Sequence, residues 1–185
     1  MMEALIFDCD GTLADTMPAH YRAWLSALLP CGIPFPEDRF YALGGVPSRE
    51  IVQLLAAEAG KTVDVPAVVR TKEEAYLVQI DGVLPIARVV DIARAGRGRV
   101  PMAVASGGQR RVVEPTLRRI GIYDWFAAVV TAEDTVRHKP DPDIFLEAAR
   151  RLGAPPTACT VYEDTDIGLE AARRAGMRFV DVRVM

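Results

Sequence analysis

Two aspartates stand two residues apart in Leu5-Ile6-Phe7-Asp8-Cys9-Asp10-Gly11-Thr12-Leu13, directly after an apolar run. The run reads as a buried strand, and both acids sit at its tip. Ionised carboxylates this close repel each other, and taking them out of water costs free energy unless a cation or a donor compensates. A hard divalent cation with oxygen ligands, such as Mg²⁺, is their natural partner. Gly11 lets the backbone turn sharply away from the strand. A plain Asp10-Gly11 turn would account for one acid but poorly for two.

Three later stretches carry residues of the same character. Ala103-Val104-Ala105-Ser106-Gly107-Gly108 is an apolar run ending in a serine. Lys139-Pro140-Asp141-Pro142-Asp143-Ile144-Phe145 sets a lysine before a helix, and Val161-Tyr162-Glu163-Asp164-Thr165-Asp166-Ile167-Gly168 ends a strand in paired acids. Together with the first nonamer, these resemble the four signatures of the haloacid dehalogenase superfamily, in order and suitably spaced. The resemblance covers nearly the whole chain. Within the superfamily the chain is most similar to the β-phosphoglucomutase-like branch, and there to small sugar-phosphate phosphatases of the fructose-1-phosphate type.

The resemblance implies phosphoryl transfer to a carboxylate. Asp8 would be the nucleophile that forms an aspartyl-phosphate. A carboxylate at ~4 Å from a phosphoryl oxygen meets repulsion of about 4 kcal/mol per charge pair at an effective dielectric of ~20. Mg²⁺ and the Lys139 ammonium would reverse that sign and stabilise the transition state. The implied metal ligands are Asp8, the Asp10 backbone carbonyl and Asp164, with Glu163 acting through a water or holding Lys139. Ser106, Gly107 and nearby backbone N–H groups would bind the phosphoryl oxygens. The Asp10 side chain would protonate the leaving sugar oxygen and then activate water. Thr16, His20 and Trp24 recur every four residues on one helix face. His20 and Thr16 would steer Asp10 while this helix closes over the sugar; the alternative is an apolar packing face. Arg49 is either a grip on a substrate anion or a solvent residue of a first helical turn. Lys72 is either a substrate contact or a helix-surface charge.

The elements that must position these groups follow from pattern. Five near-continuous apolar runs, about 3–8, 100–106, 127–131, 158–162 and 178–182, read as strands of a parallel sheet covered on both faces. Helical patterns at about 85–96, 109–120, 143–152 and 166–175 separate them, with Gly121, Gly153 and Gly176 as C-terminal stops. This alternation predicts an α/β, doubly wound, Rossmann-like core. Residues 15–83 show no strand pattern; they read as helices at about 17–29, 36–43, 48–59 and 65–80. The expected division is a core of 1–14 and 84–185 with an inserted helical cap of 15–83, hinged near Ala14–Pro18 and Gly82–Pro85. Pro115 would either kink the helix at 109–120 or delay its start.

Composition fits an ordinary globular chain. Hydrophobic residues make up 50% and charged residues 25% of 185, and the net charge is −3. No nucleic-acid or membrane surface is expected. No apolar stretch approaches the ~20 residues of a membrane span. The N-terminal apolar run stops at Asp8, so no signal peptide is expected. Cys9, Cys31 and Cys159 lack metal-ligand spacing and fit a reducing cytoplasm. A monomer is expected.

The expected activity is a Mg²⁺-dependent phosphatase for a small phosphorylated sugar. The alternative is a β-phosphoglucomutase, which must hold a bisphosphate in two orientations. Ala75-Tyr76-Leu77-Val78 lacks the lysine expected there of close mutase relatives, and Gly107-Gly108-Gln109 lacks their hydroxyl-rich run. A phospho-accepting receiver domain is a more distant alternative, opposed by the intact Asp-x-Asp and the helical insertion. A degenerate, non-catalytic member is disfavoured because no signature residue is missing.

Overall fold

The computed structural model describes residues 3–185. Its main sheet has five parallel strands in the order β5-β4-β1-β6-β7. They are β1 (Ala4–Phe7), β4 (Met102–Ala105), β5 (Ala128–Val130), β6 (Cys159–Glu163) and β7 (Arg178–Asp181). The first strand is therefore central, and strand order reverses on either side of it.

Side chains of β1 alternate between the two faces. Ala4 and Ile6 join Phe145 and Ala148 of α7 (Asp143–Leu152) and Ala171 of α8 (Asp166–Arg174). Leu5 and Phe7 join Val89 and Ala93 of α5 (Ala87–Gly96) and Leu117 of α6 (Arg110–Arg119). Both faces are covered, which is why β1 and β4 are apolar at every position. The edge strand β7 departs from that expectation. It has one neighbour, Arg178 is exposed, and Phe179 is 45% exposed.

The chain leaves β1 and enters a two-residue strand β2 (Ala14–Asp15), which pairs antiparallel with β3 (Leu84–Pro85). This ribbon closes the base of the helical insertion. Periodicity could not reveal it, because two residues carry no period. Between the two strands lie α1 (Met17–Leu28), α2 (Glu37–Ala42), α3 (Ser48–Glu58) and α4 (Val65–Val78). They bury a cluster of their own that includes Trp24, Phe35, Phe40, Val52, Leu55 and Val69. Asp64 starts α4 by accepting from the Ala67 N–H at 3.0 Å. Helix α6 runs through Pro115 from Arg110 onward, so the proline does not delay its start. Gly121, Gly153 and Gly176 follow their helices with φ of +74°, +66° and +70°.

Candidate active site

Four side chains converge beyond the C-terminal ends of the three central strands, where ligands bind in open α/β sheets. Asp8 follows β1, Ser106 follows β4, Glu163 ends β6 and Asp164 follows it. Lys139 reaches them from the loop before α7. Its Nζ donates to Asp8 Oδ1 and to Glu163 Oε2, both at 2.7 Å. All three are buried. Burial works against charge on Lys139, but the Asp8 and Glu163 carboxylates outweigh it and raise its pKa.

Glu163 is occupied at both oxygens. Oε2 accepts from Lys139; Oε1 accepts from the Asp164 and Thr165 N–H groups at 3.2 and 3.0 Å and from Thr165 Oγ1 at 2.7 Å. Of the two tasks expected for Glu163, the structure carries out the holding of Lys139. Three donors fill Oε1, whereas Oε2 has the single donor Lys139.

Asp8, Glu163 and Asp164 can each place one oxygen within 4.8 Å of the others. Burial pushes the Asp8 carboxyl well above its ordinary value; Lys139 opposes this, and Glu163, Asp164 and Asp10 add to it. Asp164 is pushed up to about 7, by burial first and then by Glu163, although Thr12 Oγ1 donates to its Oδ1 at 2.9 Å. Neighbouring acids held up in this way fit a site for a hard cation. The backbone also makes room for them. Gly11 has φ +78°, and a Cβ there would lie 2.2 Å from Asp164 Oδ2.

The Asp10 side chain belongs to another cluster. Its Oδ1 accepts from Thr16 Oγ1 at 2.7 Å and lies 3.1 Å from His20 Nε2. Burial opposes its ionisation, yet His20, Thr16 and Lys72 together hold its pKa at about 2. Burial and then the Lys72 charge push His20 down, against the pull of Asp10. Because the Asp10 carboxylate only accepts, the contact is a hydrogen bond donated by His20 Nε2–H.

Of the other sequence candidates, Trp24, Lys72 and Gly107 line the same cavity as Asp8 and Asp10. The Lys72 ammonium lies 5.2 Å from the Trp24 ring centroid. Ser106 Oγ accepts from the Gly108 N–H at 3.0 Å, which fixes the hydroxyl beside Asp10. Arg49 is not brought to the cavity. Ser48 and Ile51, three residues apart, face it. Arg49 is rotated about 100° from Ser48 around α3 and is exposed.

Sequence reasoning missed three contributors. Tyr76 stacks on His20, with ring centroids 4.0 Å apart and 16° between planes. Its hydroxyl is 2.8 Å from Thr116 Oγ1, which itself donates to the Val112 carbonyl at 2.8 Å. The Lys72 and Tyr76 spacing of four was the available signal. Glu73 and Arg111 form an ion pair between α4 and α6, for which neither helix alone carries a signal.

The sequence matches the haloacid dehalogenase-like hydrolases over residues 2–176. The chain belongs to this family. It is 41% identical over 182 residues to the fructose-1-phosphate phosphatase YqaB of Escherichia coli, covering 98% of this chain and 96% of that protein. It is 30% identical to the β-phosphoglucomutase of Bacillus subtilis, covering 98% of this chain and 83% of that one. Its fold is similar to the crystal structure of CbbY from Rhodobacter sphaeroides in complex with phosphate, with a TM-score of 0.87 and 25% identity. That match covers 97% of this chain and 85% of that one. As a haloacid dehalogenase-like hydrolase the chain is an enzyme.

Proposed function

We propose that the chain is a Mg²⁺-dependent phosphatase that hydrolyses a small sugar monophosphate, similar to fructose 1-phosphate, through an aspartyl-phosphate on Asp8. The observation that carries this reading is the separation of two neighbouring carboxylates. Asp8 is bound to Lys139, whereas Asp10 is bound to Thr16 and His20. Two acids in different surroundings suit two different tasks. The 41% identity to a fructose-1-phosphate phosphatase supports the substrate class.

Asp8 would attack phosphorus as the bond from phosphorus to the sugar oxygen breaks, and Asp10 would give that oxygen its proton. Asp10 rests as a carboxylate, and an arriving phosphate dianion favours its protonation by like-charge repulsion. Asp10 then takes a proton from the water that attacks phosphorus, and Asp8 leaves as free carboxylate with inorganic phosphate. Lys139 holds Asp8 in line and balances its charge, Glu163 holds Lys139, and Ser106 and Gly107 face the phosphoryl group. Asp8, Asp164 and the Asp10 carbonyl would hold Mg²⁺. When bound, the ion offsets the phosphoryl charge against Asp8 and stabilises charge on the phosphoryl oxygens.

The division into a core of 1–14 and 84–185 and a cap of 15–83 is part of this reading; the separate apolar cluster of the insertion and its closing ribbon support it. So is action as a monomer in a reducing cytoplasm, which the free Cys9, Cys31 and Cys159 suit. A mutase is the second reading, favoured by Lys72, a cation in the cavity wall. Glu73 beside it opposes a second phosphate.

The test is phosphate release from a panel of sugar phosphates with Mg²⁺, comparing wild type with Asp8→Asn. Wild type should turn over and Asp8→Asn should lose at least about 10⁴-fold, because an amide cannot form the acyl phosphate. Residual turnover near the wild-type rate would sink the assignment. Glucose 6-phosphate formed from β-glucose 1-phosphate, with little free phosphate, would establish the mutase instead.

A further inference from the structure

Glu73 is a charge that the mechanism leaves without a task. It follows Lys72 on α4, its side chain is 3% exposed, and it lines the cavity that holds Asp8, Asp10 and Lys139. Its partner is the guanidinium of Arg111 at the start of α6, which is 44% exposed. Burial pushes the Glu73 carboxyl up, while Arg111 and Lys72 pull it down.

A carboxylate in such a wall is costly unless something uses it. Trp24, Phe40, Ile51 and Val112 of the same lining are apolar, and an apolar residue at 73 would pack among them without that cost. A carboxylate has about four lone-pair sites, and one half-exposed guanidinium leaves some of them free for a ligand. A polyhydroxylated ligand presents O–H donors, and a carboxylate that only accepts is their complement.

We propose that Glu73 is a specificity-determining residue: steadied by Arg111, its carboxylate accepts hydrogen bonds from sugar hydroxyls remote from the phosphoryl group. The inference rests on the phosphatase reading above.

The test compares Glu73→Gln with wild type on two substrates. One is the sugar monophosphate that wild type turns over fastest; the other is p-nitrophenyl phosphate, which has no sugar hydroxyls. Glu73→Gln should cut kcat/KM on the sugar phosphate about ten- to hundredfold more than on p-nitrophenyl phosphate, the range for a lost hydrogen bond to a charged group. Equal losses on both, or no loss on either, would reduce the pair to a tie between α4 and α6 and overturn the inference. If Glu73→Gln does not fold, as judged by thermal melting, the more exposed Arg111→Gln supplies the same contrast with a smaller ratio. Asp8→Asn, assayed in parallel, keeps the two ideas apart. Sugar-phosphate turnover that depends on Asp8 preserves the phosphatase reading whatever Glu73 does, and its absence removes both.

Discussion

Asp8 and Asp10 are chain neighbours that meet opposite surroundings. Asp8 sits among Glu163, Asp164 and Lys139, where burial and like charge raise its pKa. Asp10 turns away to Thr16 and His20 and is held at about 2. His20 is itself held flat against Tyr76, so its Nε2 points at Asp10 with little freedom to leave. In the proposed reaction its task is to orient an acid. A sugar alkoxide is a poor leaving group and needs that acid, whereas p-nitrophenolate does not. His20→Ala should therefore lower kcat/KM for a sugar phosphate roughly tenfold or more beyond its effect on p-nitrophenyl phosphate. Parallel losses would assign His20 to packing. The signature residues Asp8, Lys139 and Asp164 could be named from their motifs. That Glu163 ties Lys139 to the start of α8 could not, because such a network depends on distances between separate segments.

Helix α8 begins where β6 ends, and its first turn is built around Glu163. Thr165 caps it by accepting from the Gly168 N–H at 3.1 Å. A Cβ on Gly168 would lie 2.1 Å from Glu163 Cδ. Helix propensity alone favours alanine over glycine by ~1 kcal/mol. Here the steric term wins, since the carboxylate cannot move without releasing Lys139. Gly168→Ala should destabilise the protein by about 1–3 kcal/mol in urea unfolding, the range for overpacking, and should reduce turnover as well. A stabilised, fully active variant would show that the carboxylate has room to shift. At this scale sequence pattern was informative: the helices and main strands begin and end within two residues of their expected bounds. The ribbon of β2 and β3 and the exposure of β7 were not legible, the first being too short for a period and the second depending on its place at the sheet edge.

At the scale of the whole molecule, the reversal of strand order at β1 collects anions from the ends of β1 and β6 into one place. The apo protein carries that repulsion, and on the proposed reading a bound cation would relieve it. Saturating Mg²⁺, at about 100 times its Kd, should stabilise the protein by ~2.7 kcal/mol, a rise in melting temperature of about 5–10 °C for a chain of this length. Asp164→Asn should abolish the rise and, with one buried like charge gone, leave the apo protein no less stable. Chelation should stop turnover and Mg²⁺ restore it. A melting temperature indifferent to Mg²⁺ in wild type would mean that the acids serve another purpose.

The sequence by itself determined the kinds of residue available, their order along the chain and the class of fold that brings strand ends together. Covalent spacing and hydrophobic period are local quantities, and they suffice for those conclusions. Only the tertiary structure decided which groups meet. It turned Ser48 inward and left Arg49 in solvent, because α3 presents a single face to the cavity. It set Tyr76 against His20 and buried Glu73 against Arg111, because α4 lies between α1 and α6. A helical period says which side chains share a face, but the neighbour that covers that face is fixed by the packing of distant segments.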